Sequence, residues 1–118
     1  MTFKPYQNEK EKDILKAITD YLSLLENQKK LYFVRVGNGG IKTEAGHWLK
    51  TGRPGCPDII ICVKGGKFIG CEVKTKKGYL SNVQKEAGGK IQTLGGLYWV
   101  VRDVEEIKNL LKEYTNAK

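Results

Sequence analysis

The amino-acid sequence predicts an α/β fold, a single domain in which helices flank a mixed β-sheet. Apolar residues recur at helical spacings of three and four residues near both ends of the chain. Short apolar runs typical of strands lie between them, and glycines join two of these runs in the manner of an antiparallel hairpin. A strand–helix–strand unit follows the hairpin, which indicates that the sheet also contains a parallel pair.

The first helix is predicted over residues 8–27, where side chains such as Ile14 and Ile18 form an apolar stripe. Asn8 is expected to cap this helix, with Glu11 three residues later in the capping-box position. Glu11 also falls in the centre of the apolar stripe, where an unpaired carboxylate would be costly. Two interpretations stay open: Glu11 caps the helix or reaches water, or it reaches a polar site on the core side.

The strands are predicted from short runs between turn signals. Residues 31–36 are β-branched and aromatic and precede a glycine-rich turn. Residues 41–55 lose all periodicity and are predicted to form a long surface connection, of the kind that often carries function. Two apolar runs, 58–63 and 67–74, flank a Lys-Gly-Gly segment and are predicted to pair as a hairpin.

The remaining elements complete the alternation of helix and strand. A second helix is predicted over 81–94, capped by its first serine, and Gly88 and Gly89 are expected to weaken its middle. A strand is predicted over 97–101, and Asp103 is expected to start the last helix. The predicted order is therefore helix, strand, hairpin, helix, strand, helix.

Length and charge limit the function. The 118 residues suffice for one domain, predicted over 1–118, and exclude a two-domain enzyme. Lys and Arg (21) outnumber Asp and Glu (13), which gives a net charge of +8. No run approaches the roughly 18 apolar residues of a membrane span, and the N-terminal residues lack the apolar core of a secretory signal. We therefore expect a cytoplasmic protein with no membrane partner.

The cysteines argue against a disulfide framework and against a structural zinc site. Cys56, Cys62 and Cys71 are odd in number and form no CxxC pair. Cys62 and Cys71 lie in apolar runs, where a reduced thiol is expected to behave as a small buried apolar group. Nucleophilic cysteine chemistry is disfavoured, because His47 is the only histidine and no acid beside it would orient it.

Two carboxylates and a lysine are predicted to meet at the ends of the hairpin strands. The two-residue period of a strand puts Glu72 and Lys74 on one face, although an ion pair at a sheet edge would explain this pair equally well. Asp58 begins the preceding strand, and its alternative role is that of a turn residue after a proline. Paired carboxylates suit a hard divalent cation such as Mg²⁺, and a nearby ammonium can polarise a phosphate or a water.

The turn decides whether the carboxylates converge. A two-residue turn at 65–66 would put Asp58 and Glu72 on opposite faces of the sheet. A three-residue turn over 65–67 would pair Asp58 with Lys74 and restore convergence. We therefore predict a three-residue turn with a glycine bulge, or else a bulge beside the proline that precedes Asp58.

These motifs resemble a known nuclease pattern. Gly55-Cys-Pro-Asp58, Glu72-Val-Lys74, and Leu80-Ser81 with Gln84, preceded by a helical Glu11, are similar to the PD-(D/E)XK nuclease superfamily and within it to the VRR-NUC domain. The resemblance covers about residues 9–105. It implies a restriction-endonuclease-like αβββαβ core with an added C-terminal helix.

The resemblance also implies roles for individual residues. Asp58, Glu72 and the backbone carbonyl of Val73 would bind the metal, with Glu11, the acid of the first helix, as a further candidate ligand. Lys74 would be the catalytic lysine, and Gln84 would support the site. Members of the family hydrolyse DNA phosphodiesters with Mg²⁺ or Mn²⁺, and stand-alone members tend to be homodimers suited to branched DNA such as four-way junctions or flaps.

DNA contact is expected independently from the basic residues around these motifs, which would attract phosphates. These basic residues could instead form an ordinary solvated surface. Tyr79 could instead pack against the protein. His47 and Trp48 are further candidates for substrate or dimer contacts. The residues expected to contact DNA are Arg35, Asn38, Lys50, Arg53, Lys76, Lys77, Tyr79, Ser81 and Lys85.

The leading hypothesis is a Mg²⁺-dependent DNA endonuclease, structure-selective and dimeric. A non-catalytic basic module that binds nucleic acid within a larger complex is the first alternative. A small basic protein of RNA assemblies, in which the motif residues coincide by chance, is the second. Metal-dependent cleavage separates the first hypothesis from both alternatives.

Overall fold

The computed structural model describes the backbone of residues 4–36, 40–50 and 53–116, and the side chains of 11–36, 43–47 and 53–116. A four-stranded mixed sheet is flanked by three helices, so the predicted α/β class is confirmed. The elements are α1 (Lys4–Asn27), β1 (Leu31–Arg35), β2 (Gly40–Lys42), β3 (Trp48–Lys50), β4 (Ile59–Val63), β5 (Lys67–Val73), α2 (Asn82–Thr93), β6 (Leu97–Val101) and α3 (Val104–Thr115). None of the helices in the described part of the chain is long and apolar enough to cross a bilayer.

The sheet has the strand order β1-β4-β5-β6. β4 pairs antiparallel with β1 and with β5, and β6 pairs parallel with β5. The crossover from β5 to β6 contains α2, as a parallel connection requires. The predicted hairpin and the predicted strand–helix–strand unit are therefore both confirmed.

The core lies on one face of the sheet, between the strands and the pair α1 and α3. Alternate strand residues point to this face, as the two-residue period requires. Cys71 belongs to this buried set, as predicted. The buried apolar side chains are Ile18, Leu22, Leu25, Leu31, Ile59, Ile61, Val63, Ile69, Cys71, Val73, Val101, Ile107 and Leu111.

The opposite face is covered by α2 only in part. Tyr98 packs against Gly88 of α2, and Pro57 packs against Gly70 of β5. Tyr32 at the β1 edge stays 62% exposed. Cys62 lies beside it on β4 and is also exposed, so the prediction that Cys62 is buried is wrong. An apolar run alone does not reveal that one face of its strand lacks a covering helix.

Three predicted boundaries need correction. α1 begins at Lys4, so Asn8 and Glu11 lie inside the helix and form no N-terminal cap. The residues before Asn8 carry no apolar repeat, and periodicity therefore could not detect them, although Lys4 and Gln7 are residue types that favour helix. The segment 41–55, predicted as an aperiodic connection, contains β3 and most of β2, which form a two-stranded ribbon. Each of these strands has three residues, too few to show a two-residue period.

The second helix is continuous through Gly88 and Gly89, so the predicted weakening does not break it. Its cap is confirmed, because the Ser81 hydroxyl accepts a hydrogen bond from the backbone N–H of Gln84. Asp103 likewise caps α3 by accepting from the N–H of Glu106. The residues at which both helices start were therefore predicted correctly.

The hairpin turn has the predicted length and a shifted position. Val63 pairs with Lys67, so the three turn residues are 64–66 and not 65–67. Gly65 and Gly66 have φ values of 88° and 79°, which favour glycine. The register pairs Ile59 with Cys71, so its continuation sets Asp58 opposite Glu72 instead of Lys74. The partner of Asp58 on β5 thus differs from the predicted one by two residues. An even difference leaves Asp58 and Glu72 on the same face of the sheet, so the two carboxylates still converge.

Candidate functional site

Asp58 lies where the ends of three strands meet. Its backbone carbonyl accepts a hydrogen bond from the N–H of Val36 after β1, over 2.8 Å. Its carboxylate Oδ2 accepts a hydrogen bond from the N–H of Val73, the last residue of β5, also over 2.8 Å. Asp58 therefore links β1, β4 and β5 and is held beside Glu72, which precedes Val73 in the chain.

Glu72 is fully buried, with 0% of its surface exposed. Oε1 accepts a hydrogen bond from the side-chain amide of Gln84 over 3.3 Å. Oε2 and the Tyr98 hydroxyl are both buried and lie near each other, but neither makes a hydrogen bond of regular geometry to a described residue. Burial, and after it the negative charge and side-chain contact of Asp58, raise the pKa of Glu72 to about 8, and the Tyr98 hydroxyl and then the Lys74 ammonium offset only part of that rise.

Gln84 is oriented by the cap of α2. Its side-chain Oε1 accepts a hydrogen bond from the backbone N–H of Ser81 over 2.9 Å, which completes a capping box. With the amide oxygen occupied in this way, the amide nitrogen faces Glu72. The helix start and the position of the Glu72 carboxylate are therefore coupled through one side chain.

Lys74 follows β5 immediately and is half-buried. Its backbone N–H donates to the carbonyl of Val101 over 3.0 Å, which continues the parallel ladder with β6. Gly78 folds back against it: a Cβ placed on Gly78 would lie 3.4 Å from the Cβ of Lys74. The loop after β5 therefore contacts the stem of this lysine.

Arg102, after β6, holds that loop in place. Its guanidinium Nη1 donates to the backbone carbonyls of Thr75 and Gly78, the second over 3.0 Å. These carbonyls flank the turn that carries Lys76 and Lys77. Arg102 gave no signal in the sequence, because a single arginine after a strand forms no motif and its partners are backbone atoms 24 and 27 residues away.

Glu11 opens on the same cleft as Asp58. A cleft of about 460 Å³ is lined by Glu11, Lys12, Leu15, Asp58 and Val73. Because Glu11 is inside α1, its interpretation as a helix cap is wrong. The structure therefore brings the acid of the first helix and the acid after Pro57 to one cavity.

Asp58 and Glu72 are the side chains that would hold a divalent cation. Among the described side chains, no group of three or more His, Cys, Asp and Glu is close enough to hold a metal ion, so Glu11 does not join Asp58 and Glu72 in one cluster. The pair Asp58 and Glu72 fits in donor chemistry, because hard cations prefer carboxylate oxygens. A buried carboxylate oxygen without a partner, beside a second carboxylate, is an arrangement that a cation would stabilise.

The cysteines near the site are protonated thiols. Burial raises the pKa of Cys71 far above its usual range, and the charges of Asp58 and Glu72 add to the rise. Burial also raises the pKa of Cys56, with Glu72 as the next cause. All three cysteines are free. Nucleophilic thiolate chemistry is therefore disfavoured here.

The residues expected to contact DNA are mostly exposed. Arg35, Arg53, Lys76, Lys77, Ser81 and Lys85 are all exposed. Tyr79 is 87% exposed, so its alternative role in packing is wrong. Asn38 lies outside the described residues. The side chains of Lys50 and Trp48 are likewise not among those described, whereas His47 is exposed.

The fold has a counterpart among solved structures. A structure described as a VRR_NUC domain matches 89% of this chain and 97% of its own chain, with a TM-score of 0.62 and 19% sequence identity. No family model matches the sequence, and no curated protein does. The restriction-endonuclease-like fold implied by the sequence resemblance is therefore confirmed.

Proposed function

We propose that this protein is a metal-dependent DNA endonuclease that hydrolyses phosphodiester bonds. The carboxylate pair of Asp58 and Glu72, with a buried oxygen of Glu72 left without a partner, carries the proposal. Lys74 adjoins the pair, and the fold is that of a domain named for a nuclease. The net charge of +8 favours a polyanionic substrate.

Asp58 and Glu72 would hold the cation, with the Val73 carbonyl as a further candidate ligand. When bound, Mg²⁺, or Mn²⁺ in its place, would neutralise charge on the phosphate and promote deprotonation of the attacking water. Asp58 is fixed by the Val73 N–H, and Glu72 is fixed by Gln84. Two ligands held in this way would need little reorganisation when the cation binds.

Lys74 would place its ammonium beside the reacting phosphate and stabilise the charge that develops there. In hydrolysis, the water oxygen bonds to phosphorus, the bond from phosphorus to one ester oxygen breaks, and that oxygen takes up a proton. Gly78 and Arg102 support the loop that contacts the Lys74 stem. No covalent enzyme intermediate is needed, which agrees with the protonated thiols nearby.

The finer proposals come from the resemblance. Selectivity for branched DNA, such as flaps or four-way junctions, follows from the VRR-NUC likeness, and so does a homodimer. A cytoplasmic location is supported by three free cysteines, which persist in reducing compartments. The molar mass of the purified protein in solution tests the dimer directly.

Cleavage of a labelled DNA panel tests the proposed function. Single-stranded, duplex, flap and four-way-junction DNA are incubated with Mg²⁺, Mn²⁺ or EDTA. We expect metal-dependent cleavage by the wild type, and a loss of at least about 100-fold in Asp58→Asn and Lys74→Ala, because each removes charge stabilisation at the phosphate. Lys74→Ala should keep most DNA binding.

Asp13→Asn and Lys112→Ala are the matched controls, since both residues are exposed and lie outside the cleft. Tight binding without cleavage in any metal would instead support the non-catalytic module. The absence of a three-member metal cluster among the described residues is the observation that favours that alternative. Cleavage that persists in EDTA would contradict metal dependence.

A further inference from the structure

A basic groove adjoins the carboxylate cleft. It has a volume of about 310 Å³ and is lined by Lys12, Leu15, Lys16, Thr19 and Arg35. Lys12 and Leu15 also line the cleft that contains Glu11 and Asp58. The two cavities are therefore neighbours, one with three cationic side chains and the other with carboxylates.

The fold explains why these residues meet. Lys12, Lys16 and Thr19 are spaced by four and three residues, so they share one face of α1. Arg35 is the last residue of β1, and the next residue, Val36, is hydrogen-bonded to the backbone of Asp58. The end of β1 therefore carries Arg35 from the core side of the sheet toward α1, directly beside the proposed metal ligand.

The charge of the groove is available to a ligand. Lys12 and Arg35 make no hydrogen bond or ion pair with any residue that the structure describes, and both are exposed. Lys16 donates to Asp20 over 3.0 Å, with both side chains mostly exposed. An exposed pair of this kind is worth little, so a phosphate can compete for Lys16.

We propose that this groove binds the phosphates that flank the scissile phosphate on the cleaved DNA strand. This inference rests on the proposed function. The carboxylates of the cleft repel a phosphate backbone, and a row of cations beside them offsets that repulsion. The face of α1 from Lys12 to Thr19 is about 10 Å long, which accommodates roughly two successive phosphates of one strand.

Equilibrium binding in EDTA tests the groove apart from catalysis. The probes are a fluorescein-labelled single strand and the matching duplex, titrated between 50 and 200 mM NaCl. Lys12→Gln and Arg35→Gln should each weaken binding about 3- to 10-fold and lower the salt slope of log K by about 0.7 to 0.9. Lys112→Gln, an exposed lysine of α3 outside the groove, should change affinity less than about 2-fold.

A second pair of variants tests the same groove by a gain of binding. Asp20→Asn removes the carboxylate that pairs with Lys16 and should tighten binding about 2-fold. Glu105→Gln removes an equal charge from the Lys108 pair on α3 and should have a smaller effect. A gain cannot be produced by misfolding, so this comparison stays informative if a loss-of-charge variant is unstable.

Kinetics separate the two proposals. If the wild type cleaves DNA, Arg35→Gln should raise KM several-fold with kcat nearly unchanged, because Arg35 lines the groove and not the carboxylate cleft. Groove variants that match Lys112→Gln in affinity and salt slope would overturn the groove proposal and leave the nuclease intact. Conversely, a wild type that binds but never cleaves would overturn the proposed function, while the affinities would still report on the groove.

Discussion

Glu72 is a carboxylic acid in a place where its charged form is costly. It is fully buried, it faces Asp58, and one of its oxygens has no hydrogen-bond partner in the described part of the chain. In the metal-free protein it therefore holds its proton to a pKa of about 8. A cation that binds there must displace this proton, so metal affinity should rise with pH.

Glu72→Gln should make the metal-free protein more stable at pH 8. The pKa of Glu72 lies above its ordinary value of 4.5, so only the folded state keeps the proton between those limits. The stability that the folded protein gains from keeping the Glu72 proton is fully present below pH 4.5 and is lost as the pH rises through 8. Gln keeps the shape without the charge, and we expect a gain of about 1–3 kcal/mol at pH 8.

Urea unfolding in EDTA at several pH values between 5 and 8.5 measures this effect. Glu113→Gln, an exposed change on α3, is the control and should follow the wild type. Parallel pH profiles for Glu72→Gln and wild type would contradict the assignment. We expect Glu72→Gln to be more stable and to lose cleavage. Many active-site residues show this pattern, because they support function at a cost in stability.

The sequence predicted which residues would converge but not how they are held. Strand spacing brought Asp58, Glu72 and Lys74 together, because alternation and a hairpin depend only on local pattern. Full burial of Glu72 depends on where α2 lies, which no local pattern records. The capping box was assigned to Asn8 and Glu11, whereas the same spacing at Ser81 and Gln84 forms the box and also contacts Glu72.

The two adjacent glycines of α2 have different surroundings. Gly88 is buried against Tyr98, and a Cβ there would lie 2.5 Å from the ring carbon Cδ2. Gly89 faces open space, with nothing within 4 Å of such a Cβ. Gly88 therefore sets how closely α2 approaches β6, and this spacing also fixes the reach of Gln84 to Glu72.

Gly88→Ala and Gly89→Ala should move stability in opposite directions. Gly89→Ala adds a good helix former at a free position and should stabilise the protein by about 0.5–1 kcal/mol. Gly88→Ala overpacks the contact with Tyr98 and should destabilise it by about 1–3 kcal/mol. Thermal or urea unfolding measures both, and equal effects of the two substitutions would contradict the packing of α2 described here.

The longer helices and strands were more predictable than the turns and short strands that connect them. The hairpin turn was predicted with three residues but placed one residue late, because Lys64 rather than Lys67 enters the turn. Glycines tolerate several turn geometries, so their presence indicates that a turn occurs but not which residues begin and end it. The β2–β3 ribbon was missed since three-residue strands carry too little pattern.

For the whole molecule, the distribution of charge makes a cation site unusual. A net charge of +8 repels Mg²⁺ in general, so a divalent cation is attracted only where carboxylates are concentrated. The carboxylates of Asp58 and Glu72, which lie close enough for the charge of Asp58 to raise the pKa of Glu72, form such a place. Binding there would favour the folded state, because the unfolded chain does not bring these carboxylates together.

Mg²⁺ should therefore raise the melting temperature of the wild type, and more at pH 8.5 than at pH 6, because Glu72 must lose its proton. At a concentration ten times the Kd the gain is about 1.4 kcal/mol, or a few degrees for a domain of this size. NaCl at equal ionic strength controls for screening, and Asp58→Asn should respond to Mg²⁺ as it does to NaCl. Differential scanning fluorimetry makes the comparison, and equal stabilisation of Asp58→Asn by Mg²⁺ would mean that the cation binds elsewhere.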